Sequence, residues 1–171
     1  MFALLFLHLL SGSAFTAGFN LAKDQEGKQG PLVITSGTLE IDNEKKTVTF
    51  TEKVNAKIDD WVMDCSKMVL FYDQETAKGA TKSEKMRVDK IIATGDVRIL
   101  RSAGGEAAAE EAVFYQADEK IILTGNPVVR QGEDFVEGSR ITLFLKENRS
   151  VVEGSKEQKA RAVIMPRSEA R

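Results

Sequence analysis

The chain reads as an all-β protein of stacked β units, arranged either as an open or closed jelly-roll with two facing sheets or as a single-layer solenoid. Three observations predict it. Apolar and polar residues alternate in TVTFT (47–51), VNAKI (54–58) and ITLFL (141–145), the period of half-buried strands. A six-residue phrase recurs as TFTEKV from Thr49, IATGDV from Ile92 and ILTGNP from Ile122, with a looser VVEGSK from Val151. Helical spacing is hard to find anywhere after Pro31.

The order of elements begins with a leader. Met1 to Leu10 is apolar except for His8, and small residues follow. Such a run is too short to span a bilayer and suits a secretory signal, although it carries no Lys or Arg ahead of the apolar core. Residues 1–17 are therefore expected to be a signal peptide, cleaved somewhere in 14–20. A polar lead (18–30), one β domain (31–166) and a polar tail (167–171) complete the chain. With 171 residues, 42% hydrophobic and 29% charged, one globular domain is expected.

Each repeated phrase sits inside a longer unit. A polar turn (DNEKK from Asp42, QADEK from Gln116, KENRS from Lys146) precedes an apolar strand. A short pair then follows: Glu52-Lys53, Gly95-Asp96, Gly125-Asn126 or Gly154-Ser155. Gly followed by Asn, Asp or Ser suits a two-residue hairpin turn with positive φ at its first position. Recurrence at about thirty residues without helices predicts stacked β units, each unable to bury its apolar face alone. The segment EAAAEEAVF (106–114) has helical propensity but occupies a strand slot. The polar stretch 74–90 is expected to be a long exposed loop or an extended hairpin.

Aligning the units on their short pairs fixes an inward face, because one residue of slip reverses it. Val48 and Phe50 align with Ile91 and Ala93, then with Ile121 and Leu123. Leu39 aligns with Phe114 and Leu143, and Met68 and Leu70 with Ile141 and Leu143. Leu32 and Ile34 lead the first strand. Thr47, Thr49, Glu40 and Thr142 are the outward partners, mostly polar. Trp61, Met63 and Cys65 share one parity and Met68 and Leu70 the other, so a bulge is expected near Ser66-Lys67. This interior suits an ordinary closed core or an apolar trough; composition alone leaves both open. In either arrangement the two end strands are unpaired edges able to accept another strand.

Several function classes are excluded or disfavoured. A net charge of −2 with mixed signs gives no basic stripe for nucleic acid. The one histidine, His8, lies in the leader, so Ser-His-Asp chemistry and histidine-ligated zinc are not expected after export. The acidic residues fall mostly in turns, as in Asp59-Asp60, Glu110-Glu111 and Glu133-Asp134. No catalytic residue, metal or cofactor is expected. Cys65, the single cysteine, forms no internal disulfide and reads as a small buried hydrophobe.

The blocks PLVITSGTLEIDNEKKTVTFTEKV, IILTGNPVVRQGEDFVEGSRITLFLKENRSVVEG and ARAVIMP resemble the OstA-like family, and the resemblance runs from Pro31 to Pro166. It departs in the Glu-Lys after Thr51, where the family has Gly-Asn, and in the long 74–90 stretch. The resemblance implies a twisted, open β-jelly-roll, V-shaped, with two facing antiparallel sheets, and a periplasmic lipopolysaccharide-binding transport protein. Acyl chains would lie in an apolar groove: Leu32, Ile34, Leu39, Val48, Phe50, Met68, Leu70, Ile99, Phe114, Ile121, Leu123, Ile141 and Leu143. Edge strands carrying Leu32, Val33 and Ile34 at one end, and Ala162, Val163, Ile164 and Met165 at the other, would join protomers head to tail. The implied partners are lipopolysaccharide, the anchored periplasmic subunit of the inner-membrane transporter, and the amino-terminal domain of the outer-membrane translocon. The competing expectation is a structural β-solenoid that polymerises through its edges without a lipid.

Overall fold

The computed structural model describes residues 30–75, 85–102 and 104–166. The apolar leader, nearly all of the polar lead and the tail 167–171 lie outside the described residues. All regular elements among the described residues are strands: β1 (Val33–Thr35), β2 (Thr38–Asp42), β3 (Thr47–Ile58), β4 (Trp61–Glu75), β5 (Lys85–Arg101), β6 (Gly105–Tyr115), β7 (Lys120–Thr124), β8 (Val128–Gln131), β9 (Asp134–Glu137), β10 (Arg140–Phe144), β11 (Arg149–Glu153) and β12 (Arg161–Val163). They form one open antiparallel sheet that does not close on itself.

The topology is simpler than twelve strands suggest. β1 and β2 pair with successive halves of β3. β7 and β8 pair with successive halves of β6. β10 pairs with β7 and β9 with β8, while β11 pairs with β10 and β12 with β9. The chain therefore runs up and down in eight long passes, several of them interrupted halfway. The interruptions line up across the sheet, and the sheet folds along that line into two facing layers. The first layer holds β2, β7, β10, β11 and the adjoining halves of β3–β6; the second holds β1, β8, β9, β12 and the other halves.

This arrangement corrects the reading of the short pairs as hairpin turns. Glu52-Lys53 lies inside β3 and Gly95-Asp96 inside β5, and each strand continues beyond its pair beside the same neighbour. Gly125-Asn126 joins β7 to the collinear β8, and the break between β11 and β12 occupies 154–160. Positive φ is present as expected, but at both residues of each of the first three pairs: 68° and 52°, 80° and 48°, 75° and 53°. Two left-handed residues on one strand pass a single residue on the next, Glu52-Lys53 against Ser66 and Gly95-Asp96 against Glu110. That is bulge geometry, which bends a strand rather than reversing it. The true reversals are the polar turns. In the first, the Asp42 carboxylate accepts from the N–H groups of Glu44 and Lys45 at 3.0 and 2.9 Å. The Lys45 ammonium hydrogen-bonded to it lowers the Asp42 pKa.

Parity follows the bulges. On β4 the inward set switches from Trp61, Met63 and Cys65 to Met68, Leu70 and Tyr72, with Ser66 and Lys67 exposed between them, as the expected bulge requires. β6 is a strand despite its alanines and glutamates. The 74–90 stretch begins and ends as an extended hairpin, with Asp73 opposite Arg87; residues 76–84 lie outside the described residues.

The inward rows run Val48, Leu70, Ile91, Phe114, Ile121, Leu143 and, one step nearer the fold line, Phe50, Met68, Ala93, Ala112, Leu123, Ile141. Leu39 belongs to the second row, opposite Phe50, and Ile41 to the first; the sequence alignment put Leu39 on the correct face but one row away. Met68, Leu123, Ile141 and Leu143 are the largest of the fully buried side chains. Each contributes about 1.5–3 kcal/mol of apolar burial.

The outer face is less polar than expected. Val69, Ile92, Val113 and Ile122 form an outward row across the first layer, and Thr47 is buried. β-Branched neighbours cover one another across strands, so a half-exposed apolar row is sustainable there. Beside it, cations lie over aromatic rings in register: Lys90 on Phe71 at 4.3 Å, Lys120 on Tyr115 at 5.0 Å and Arg149 on Phe144 at 3.9 Å.

Candidate functional site: an apolar slot between the layers

Between the two layers is a void of about 280 Å³. Its walls come from both sides of the fold line. Leu32, Ala56, Ile58, Trp61, Met63 and Ile99 belong to the second layer, and Met68, Val88, Ile91, Ala93, Ala112, Phe114 and Ile121 to the first. Gly30, Val62 and Gln116 complete it, and among the described residues no charged side chain lines it. The strand alternation that defines the core also defines this wall, because every inward residue faces the opposite layer. Ions sit beside the slot rather than in it. Asp59 Oδ1 accepts the Gly30 N–H at 3.0 Å, and Arg101 Nε donates to Asp60 Oδ2 at 2.9 Å with its guanidinium 5.5 Å from the Trp61 ring. Such a surface offers apolar contact without directional hydrogen bonds, which suits a hydrocarbon chain.

Of the groove residues expected from sequence, Leu32, Met68, Ile99, Phe114 and Ile121 line the slot. Ile34 packs against the core nearby, and Val48, Phe50 and Leu70 are buried in the first layer without reaching the void. Leu123, Ile141 and Leu143 are closed into the packed end at 0%, 0% and 2% exposure. Leu39 lies at the opposite edge, 55% exposed. Sequence reasoning omitted Trp61 and Met63 from the site because the register across Ser66-Lys67 was open. It passed over Ala56, Ala93 and Ala112 because small apolar residues give no sign of bordering a void.

The edges are also built. Among the described residues, β1 and β2 pair only with β3, β11 only with β10, and β12 only with β9. Leu32, Val33 and Ile34 thus lie along one edge of the sheet and Ala162, Val163, Ile164 and Met165 along the other. Val33, Ile41, Ile164 and Met165 expose about half or more of their surface. Arg161 anchors the last strand through Glu137 at 2.9 Å, and the Met165 N–H donates to Asp134 Oδ1 at 2.7 Å.

Cys65 is buried and does not line the slot. Burial pushes its thiol from 9.0 up to about 11. The thiolate is the nucleophile, so native protein at pH 8 should alkylate at least tenfold more slowly than protein in urea. Equal rates in the two conditions would show an accessible thiol. The sign of the linkage follows: the folded state holds this proton more tightly, so the contribution is complete below pH 9 and is lost as pH rises towards about 11.

The class the fold defines is an open β-jelly-roll with an apolar slot between its layers. A family model described as "LptA/(LptD N-terminal domain) LPS transport protein" matches residues 33–149, and the chain belongs to that family. Among solved structures it is similar to LptH, described as the LptA-homologous periplasmic component of the lipopolysaccharide transport device of Pseudomonas aeruginosa. The TM-score is 0.68 at 13% identity, covering 85% of this chain and all of that one. A search of curated protein sequences found no match.

Proposed function

We propose that this chain is a periplasmic lipopolysaccharide carrier that holds acyl chains in the slot and leaves the sugars in water. The observation that carries the reading is the uncharged, two-walled void in a member of a lipopolysaccharide-transport family. The protein works by binding and passing its cargo, without catalysis. Its edge strands, β1 with β2 on one side and β11 with β12 on the other, add to those of neighbouring copies head to tail. The ends of that stack meet the anchored subunit of the inner-membrane transporter and the amino-terminal domain of the outer-membrane translocon. Strand addition supplies main-chain hydrogen bonds, and the exposed apolar residues at each edge supply contact area.

A photo-crosslinking residue separates this reading from a lipid-free scaffold. Placed at Phe114, on the slot wall, it captures lipopolysaccharide in cells. Placed at Thr49, on the other face of β3, it captures at least tenfold less. Equal capture at the two positions, or none at Phe114, overturns the assignment.

A further inference from the structure

The two outer edges of the sheet lie in register with each other. In the second layer one cross-strand row starts at Thr35 on β1, crosses β3, β4, β5, β6, β8 and β9, and ends at Arg161 on β12. In the first layer the row on the other side of the fold line starts at Thr38 on β2 and ends at Glu153 on β11. Every pairing along both rows is antiparallel, and the last strand of each runs opposite to the first. A second copy added at the edge therefore continues the alternation, with Arg161 opposite the next Thr35 and Glu153 opposite the next Thr38.

Between the two rows the edges differ. One edge has two residues there, Ser36 and Gly37, and the other has seven, 154–160. The seven form a loop pinched at its base. A Cβ at Gly154 would stand 2.7 Å from the Ala160 nitrogen, and Ser155 Oγ accepts the N–H groups of Glu157 and Gln158 at 3.2 and 3.1 Å. Lys156, Glu157 and Lys159 are exposed on it. On the opposite edge Thr35, Ser36, Gly37, Glu52 and Lys53 line an open hollow. Gly37 donates its N–H to the Glu52 carbonyl at 2.8 Å and brings no side chain to fill the space. Among the described residues, none of Glu52, Lys53, Lys156, Glu157 and Lys159 forms an ion pair.

Resting on the reading of head-to-tail strand addition, we infer that the 154–160 loop of one copy seats in the hollow at Ser36-Gly37 of the next and keys the stack. The row register sets the two opposite each other. The charges complement: Lys156 and Lys159 meet Glu52, and Glu157 meets Lys53. Strand pairing alone tolerates a slip of two residues, which keeps every side chain on its own face. A loop seated in a hollow does not tolerate it. The key thus aligns the fold lines of successive copies, so that the space between the layers continues from one to the next.

Purified protein tests this. Mixed Thr38→Cys and Glu153→Cys proteins are expected to give about fivefold more disulfide-linked heterodimer than Glu40→Cys with Glu153→Cys, a pair that a two-residue slip would bring together. Sedimentation measures the association itself. In low salt, Lys156→Glu with Lys159→Glu weakens it about tenfold and Glu52→Lys about threefold; the three joined in one protein recover it to within about twofold. Salt at about 0.5 M removes these differences. The substituted residues are exposed, so the thermal midpoints stay near the parent's. Charge reversals that leave association unchanged, or losses that the combined protein does not recover, overturn the key while leaving head-to-tail addition intact. Cross-linking through Glu40 equal to that through Thr38 overturns the register on which the key depends. Absence of self-association at every protein concentration, with no cross-linked heterodimer, overturns both the key and the head-to-tail reading.

Discussion

Leu143→Asp is expected to leave little folded protein at room temperature. Leu143 is 2% exposed in the closed end of the core, between Ile121 on β7 and Ser150 on β11. Truncating a buried leucine costs about 2–5 kcal/mol. A carboxylate there must also stay ionised without water or take up a proton, adding a few kcal/mol. The sum is about 5 kcal/mol or more, comparable with the whole stability of a typical domain. Urea denaturation checks it. Leu143→Met should lose less than about 1.5 kcal/mol, and Thr142→Asp, on the other face of the same strand, about 0.5 kcal/mol. A well-folded Leu143→Asp protein with a near-parental midpoint would mean that this end of the sheet is open to solvent. Loss of lipid binding by this variant reports loss of the fold, because Leu143 does not border the slot.

The second large effect is expected at the fold line. Gly125 has φ +75°, and a Cβ built there meets the Cβ of Glu110 and lies 2.5 Å from its Cγ. Across the same contact the Glu110 N–H donates to the Gly125 carbonyl at 3.2 Å. Neither side can retreat without breaking that bond. Gly125→Val adds a β-branched residue in a left-handed conformation, costing about 1–2 kcal/mol, and an overpacked contact costing about 1–3 kcal/mol. The expected loss is about 3 kcal/mol, read as a lower denaturation midpoint. Shortening the neighbour separates the two causes. In a cycle of Gly125→Ala with Glu110→Gly, the pair should be coupled by about 1 kcal/mol or more, because the double variant relieves the clash. Strict additivity would show that the strands are not in close contact at the fold line.

The same glycine illustrates how far the sequence could be read. The recurrence of a Gly-Asp or Gly-Asn pair after an apolar strand marked a place that needs positive φ, and the structure has positive φ there. The pair itself does not say whether the chain then reverses or continues. That depends on which strand the following residues pair with, a long-range fact. β8 continues along β6, so the pair is a bend. The inward face was legible for a related reason. Val48, Phe50, Met68, Leu70, Ile121 and Leu123 declare it by alternation, and period two leaves one alternative that the polar residues reject.

The candidate slot was legible only in part. Phe114 and Ile121 could be put on the inner face, but nothing local distinguishes them from Leu123 and Leu143, which share that face and are sealed. Whether an inward residue touches a void or a neighbour depends on how large its partners in two layers are. That sum runs over residues far apart in sequence. Ala56 and Ala112, 56 positions apart, border the same space.

By itself the sequence determined the all-β class, the inward face of the strands that alternate clearly, the positions of the polar reversals and three of the four positive-φ pairs. These follow from local sterics and from the two-residue period of a strand. Only the tertiary structure decided that the pairs align into one fold line, that the sheet doubles over along it, and that a void is left beside Ala93 and Ala112. A void is the difference between the space enclosed by two layers and the volume of the side chains between them, and no short stretch of the chain contains either quantity.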